Sequence, residues 1–214
     1  MRNAIHETQR FGQSIWYDNM RRSMISSGEL QRLVDIGITG ITSNPTIFEK
    51  AITGSTDYDE TLSALVSEGM GVVESYEALT IEDIQNAADI LRPVYESTDG
   101  VDGYASLEVS PLLAQDTDAT VEEAARLYST LNRPNVLVKV PATPEGIPAI
   151  RSLIGKGINI NVTLIFSRSA YRQVAEAYIG GLEDLASSGG DVSRVASVAS
   201  FFISRLDTAV DALL

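Results

Sequence analysis

Cysteine is absent from the 214 residues, histidine occurs once, as His6, and lysine three times. Without cysteine the chain has no disulfide and no thiolate for nucleophilic catalysis or zinc binding. One imidazole cannot build a histidine metal site. Basic residues are also scarce, 16 against 29 acidic ones, and the net charge of −13 opposes nucleic acid or an anionic membrane as the main partner. An anionic small substrate then needs a locally basic pocket. No apolar run approaches membrane-spanning length, and the opening segment MRNAIHETQRFGQ lacks the apolar stretch of a signal peptide. A cytoplasmic protein is the expectation.

What remains is a composition of 44% hydrophobic and 21% charged residues, enough for one sizeable core. Short apolar segments alternate with amphipathic ones. Strands are predicted at 14–18, 38–43, 104–109, 136–140, 158–166 and 195–203. Helices are predicted at 28–35, 58–68, 81–95, 121–131, 144–154, 168–186 and from 205 onward. The strands are continuously apolar, as expected when helices cover both faces of a parallel sheet. No shift in composition marks a domain boundary, so residues 1–214 read as one domain. A long insertion at about 53–101 carries two of the helices. Periodicity alone leaves an open doubly wound sheet and a closed barrel equally admissible.

Parallel α/β folds place their chemistry at the carboxyl ends of the strands. Polar residues stand near each of those ends: Asp18 and Asn19, then Thr42-Ser43-Asn44-Pro45, then Glu108, Lys139, Asn161 with Thr163, and Ser200 with Arg205 beyond it. Their convergence on one mouth requires the sheet to curl, which favours a barrel.

Lys139 is central to this pattern. It stands in Val136-Leu137-Val138-Lys139-Val140, whereas Lys50 and Lys156 lie beside polar or glycine-rich segments. Burial among valines disfavours the ammonium form, and a neutral amine is the nucleophile of Schiff-base chemistry. A snorkelling lysine, or one paired with Glu108 in a structural ion pair, is the competing explanation. Schiff-base chemistry also needs an acid/base and a positioned water; Asp18 suits the first, Glu108 and Thr163 the second. Each has an ordinary competitor: Asp18 as a loop cap, Asn44-Pro45 as a helix start, Thr163 as a strand former.

The segments SIWYDNMRRSMISSGEL, GITGITSNPTIFEKAI, SLEVSP, NVLVKVPATPEG, INVTLIFS and SVASFFISRLD span nearly the whole chain. In this order they resemble transaldolases of the bacterial type. The resemblance implies a (β/α)8 TIM barrel, a transferase of the non-oxidative pentose phosphate pathway, and sugar phosphates as ligands. Its reaction moves a dihydroxyacetone unit from sedoheptulose 7-phosphate to glyceraldehyde 3-phosphate, giving erythrose 4-phosphate and fructose 6-phosphate, with no metal or cofactor. It also implies Lys139 as the Schiff-base lysine, Asp18 as the acid/base of carbon–carbon cleavage, and Glu108 with Thr163 as holders of the catalytic water. Asn44 and Ser200 would bind substrate hydroxyls, Phe202 would wall the pocket, and Arg205 would bind phosphate. Another Schiff-base aldolase, or an inactive fragment, is the alternative.

An eight-stranded barrel typically takes about 250 residues, whereas the sixth predicted strand here is followed by only a short helix. The expectation is therefore about six βα units, incomplete at the C-terminal side. Their open strand edges would favour self-association or a complementing C-terminal fragment.

Overall fold

The computed structural model describes residues 3–214. It has an α/β fold with six strands, and the chain divides into two compact units. One runs through Glu108 and takes up Thr130–Val136; the other comprises Val109–Ser129 and Leu137–Leu214.

The first unit contains α1 (Ala4–Gln9), β1 (Trp16–Asp18), α2 (Arg22–Ser26), α3 (Glu29–Asp35), β2 (Gly40–Thr42), α4 (Pro45–Thr53), α5 (Asp59–Ser67), α6 (Val72–Ser97) and β3 (Tyr104–Glu108). The strands pair in parallel, β1 with β2 and β2 with β3, so that Asp18 is the register partner of Thr42 and Thr42 that of Ser106. Helix α6 is the backbone of this unit. It buries Ile84, Ala87, Ala88 and Leu91, an i, i+3, i+4, i+7 stripe. Asn135 donates from Nδ2 to the carbonyls of Ala88 and Gly103, both at 2.8 Å, tying α6 to the start of β3.

A buried polar knot joins α2, α5 and α6. The backbone N–H of Arg22 donates to Tyr58 Oη at 2.9 Å, Tyr58 Oη donates to Asp83 Oδ2 at 2.8 Å, and Arg22 Nε donates to Asp83 Oδ1 at 2.9 Å. The Arg22 guanidinium also lies 4.7 Å from the Tyr58 ring centre and reaches Glu82. Burial alone would lower the guanidinium, but the charges and hydrogen bonds of Asp83 and Glu82 outweigh it and hold Arg22 above its ordinary value. This knot fixes the backbone four residues beyond Asp18.

The second unit contains a 3-10 turn (Pro111–Leu113), most of α7 (Thr117–Leu131) and of β4 (Val136–Pro141), then α8 (Gly146–Ile154), β5 (Ile160–Ile165), α9 (Arg168–Ser187), β6 (Ser197–Phe201) and α10 (Ile203–Asp211). β4 pairs in parallel with β5, and β5 with β6. Every residue of β4 is buried, as the unbroken apolar pattern predicts for a covered parallel strand. α9 buries Val174, Ala177, Gly181 and Leu185 on one stripe. Gly181 is needed there: a Cβ would lie 2.7 Å from both the Arg151 carbonyl oxygen and Ile154 Cβ of α8.

The predicted elements are present with altered ends. The insertion does carry two helices, but the second starts nine residues before the predicted 81, because the Glu74 carboxylate accepts the Gly71 N–H at 2.7 Å and caps it. Three short helices fall outside the predicted set, α1, α2 and α4; α1 and α4 are each capped by an asparagine, Asn3 or Asn44, the latter weighed above as a helix start. The first strand begins at Trp16 rather than at 14, since Ser14 Oγ turns to the Asp102 carboxylate. The last strand stops at Phe201, and its helix starts at Ile203 rather than 205. β6 also departs from the continuous burial expected: none of its residues is buried, and within its unit it pairs only with β5.

Candidate active site

In the first unit the strand ends deliver Asp18, Thr42 and Glu108, each the last residue of its strand. Asp18 is exposed, and its Oδ1 accepts a 2.7 Å hydrogen bond from Thr42 Oγ1. One oxygen is thereby fixed while the other keeps its acceptor capacity. Asn44 is the N-cap of α4, with Oδ1 accepting the Ile47 N–H at 2.9 Å and Pro45 at the first helical position. Its helix-start function and a binding function are compatible, because the cap uses Oδ1 and leaves the two Nδ2 donors. Ser43, fully buried, donates to the Ser106 carbonyl at 2.7 Å and anchors the turn between β2 and α4.

Tyr76 of α6 joins this group without any signal in the sequence. Burial, then the charges of Glu108 and Glu49, push its phenol up to about 12, so it is a neutral donor throughout the physiological range. A phenol beside two carboxylates can donate to a polar ligand or to a carboxylate oxygen. It lies in the stretch read only as an insertion, at ordinary helical spacing.

In the second unit Lys139 is buried, at 5% exposure, between Val138 and Val140. Its register partner is Asn161, whose own partner on β6 is Val198. Because paired residues of parallel neighbours point to the same side and alternate residues share a face, Lys139, Asn161, Thr163 and Ser200 stand on one face. Ser200 Oγ donates to Asn161 Oδ1 at 2.9 Å. Asn161 and Thr163 are buried with Lys139. An amine, a carboxamide and two hydroxyls on one face can bind a polyol and attack a carbonyl.

β5 carries a bulge. Between Val162 and Ile165 it spends one more residue than β6 does between Ala199 and Phe201, and Leu164 takes φ +61°. A non-glycine residue in the left-handed region costs roughly 1–2 kcal/mol. The extra residue resets the alternation, so Ile165 falls on the Val162 face and Phe166 on the face of Asn161 and Thr163. Phe166 stacks on Phe202, with ring centres 5.2 Å apart and planes at 29°. Arg205, exposed in the first turn of α10, sits with its guanidinium carbon 5.1 Å from the Phe202 ring centre. Phe202, Arg205 and Ser200 are therefore neighbours at one strand end.

Among the described residues no cluster of three histidine or acidic side chains could hold a metal ion, and no helix is long and apolar enough to cross a membrane.

The family model described as transaldolase/fructose-6-phosphate aldolase matches residues 15–213. A transaldolase of Trichodesmium erythraeum is 50% identical over 213 residues, covering 99% of this chain and 56% of the relative. A "Transaldolase 2" of Nostoc punctiforme is 50% identical over 207 residues, covering 96% and 54%. A transaldolase of Thiobacillus denitrificans is 49% identical over 213 residues, covering 99% and 59%. The chain thus spans a little over half the length of these relatives. On this evidence it belongs to the transaldolase/fructose-6-phosphate aldolase family.

Proposed function

We propose that the chain carries the Schiff-base chemistry of a transaldolase, with its βα units forming part of a (β/α)8 barrel. The observation that supports this best is Lys139, an amine on a buried face beside Asn161, Thr163 and Ser200. Its Nζ attacks the ketose carbonyl carbon, and the carbinolamine loses water to give the imine. Asp18 then takes the proton of the hydroxyl two carbons away as the carbon–carbon bond breaks. An aldose phosphate leaves, and the dihydroxyacetone unit remains on Lys139 as an enamine. Attack of the enamine on a second aldose phosphate, followed by hydrolysis of the imine, completes the transfer.

Glu108 and Thr163 hold the water that moves protons at the lysine. Asn44, through Nδ2, and Ser200, through Oγ, bind substrate hydroxyls. Phe202 walls the pocket, and Arg205 supplies the positive charge that a phosphate needs on a chain of net charge −13. Sedoheptulose 7-phosphate and glyceraldehyde 3-phosphate are the proposed substrates, in the cytoplasm and in the non-oxidative pentose phosphate pathway. The names of the relatives favour this reading.

The family description also covers an aldolase, in which the enamine is protonated and dihydroxyacetone released. The two differ in acceptor dependence. With sedoheptulose 7-phosphate as donor, fructose 6-phosphate should form only when glyceraldehyde 3-phosphate is added. Steady release of free dihydroxyacetone at an undiminished rate without acceptor would instead establish the aldolase.

A further inference from the structure

We infer that Phe166 is a positioning residue that sets the preference of this site for phosphorylated ligands, acting through Phe202 on Arg205. The inference rests on the assignment of Arg205 to phosphate made above.

Arg205 is exposed and lies in the first turn of a helix, where a long cationic side chain ordinarily samples many rotamers. Here its guanidinium lies over the Phe202 ring, and the Phe202 ring lies on that of Phe166. The three layers come from three separate devices. Phe202 follows the last residue of β6 and caps α10, its N–H donating to the Ile165 carbonyl at 3.0 Å. Arg205 follows three residues on, one helical turn. Phe166 reaches this face only because the bulge at Leu164 shifts the alternation by one; without it, Phe166 would stand on the opposite face with Val162.

A large aromatic that is 41% exposed, delivered by a left-handed leucine, is not explained by the core. It is explained as the rear plate of a stack whose front plate is a cation. Stacking restricts the Phe202 rotamer, and the fixed ring face restricts the guanidinium, leaving its donors turned outward for an anion. Phosphate recognition gains by preorganisation, while a ligand without phosphate gains nothing.

The test measures the concentration dependence of borohydride trapping on the 214-residue chain with a matched pair, fructose 6-phosphate and fructose. Phe166→Leu should raise the half-saturating concentration of fructose 6-phosphate by about three- to fivefold, the size of an exposed cation–aromatic contact, and leave that of fructose unchanged. Phe166→Tyr, which keeps the stack, should restore the parent value. A second readout needs no reaction at the lysine: the Arg205 Nε–Hε resonance titrated with inorganic phosphate should shift in the parent and in Phe166→Tyr, and respond several-fold more weakly in Phe166→Leu. Equal loss for both ketoses, failure of tyrosine to rescue, or an unaltered phosphate titration in Phe166→Leu overturns the role. If the parent traps no ketose, the proposed function fails, while the phosphate titration still decides what Phe166 does.

Discussion

Thr42 Oγ1 donates a 2.7 Å hydrogen bond to Asp18 Oδ1 between two strands whose register makes these residues partners. The bond orients a carboxylate that is otherwise exposed, and the Arg22 knot fixes the backbone just beyond it. An acid/base must present one oxygen to the reacting hydroxyl in a fixed direction. Thr42→Val keeps the side-chain shape and removes only the donor. It should slow transfer by roughly tenfold or more, as expected for one hydrogen bond to a charged group. Schiff-base trapping should be unaffected, and Thr42→Ser should recover most of the rate. Unchanged turnover in Thr42→Val would remove Thr42 from the account of Asp18.

The Arg22 knot itself predicts a large effect on stability. Asp83 is 1% exposed in its side chain, and Arg22 supplies its compensating charge. Arg22→Ala should destabilise the chain by about 3–5 kcal/mol, because it leaves a buried carboxylate unpaired. Tyr58→Phe should cost about 1–3 kcal/mol by leaving the Arg22 N–H and one Asp83 oxygen unsatisfied. Asp83→Asn in the Arg22→Ala background should recover part of the loss. Urea unfolding of the three variants measures this, and a cost below about 1 kcal/mol for Arg22→Ala would contradict the buried-charge argument.

Tyr76 predicts a step at alkaline pH. Its phenol is pushed from 10.0 to about 12 in the folded chain, by burial and by Glu108 and Glu49. Above pH 10 the unfolded chain releases this proton while the folded chain retains it, so the stability associated with Tyr76 is complete below 10 and is lost as pH rises toward 12. Tyr58 is raised as well, by burial and by Asp83. In a phenolate absorbance titration, Tyr76 and Tyr58 should therefore ionise late. Tyr76→Phe should remove one late step and flatten the fall of stability between pH 10 and 12; an unchanged late step would show that Tyr76 is not shielded.

The alternation of apolar strands and amphipathic helices was legible because parallel pairing buries strands on both faces, as β4 shows from Val136 to Pro141. Lys139 was legible for the same reason: a cation inside such a run is costly and so conspicuous. The Asn44 cap was anticipated as a helix start, and the structure adds that the cap spares Nδ2. Three features left no trace in the residue pattern. The bulge at Leu164 is a backbone event in a segment of ordinary β-formers, with no glycine to announce it. Tyr76 sits at normal helical spacing, and only packing brings it to Glu108 and Glu49. Asn161 was noted as a polar strand residue, but its bond to Ser200 depends on the register of β5 against β6.

The central claim is that Lys139 is the nucleophile. Borohydride reduction in the presence of fructose 6-phosphate, followed by peptide mass mapping, tests it directly. The account predicts a single adduct on the peptide containing Lys139, none on those containing Lys50 or Lys156, and no adduct in Lys139→Arg. An adduct on Lys50 or Lys156, or an unmodified Lys139 in a folded chain saturated with the ketose, would contradict it.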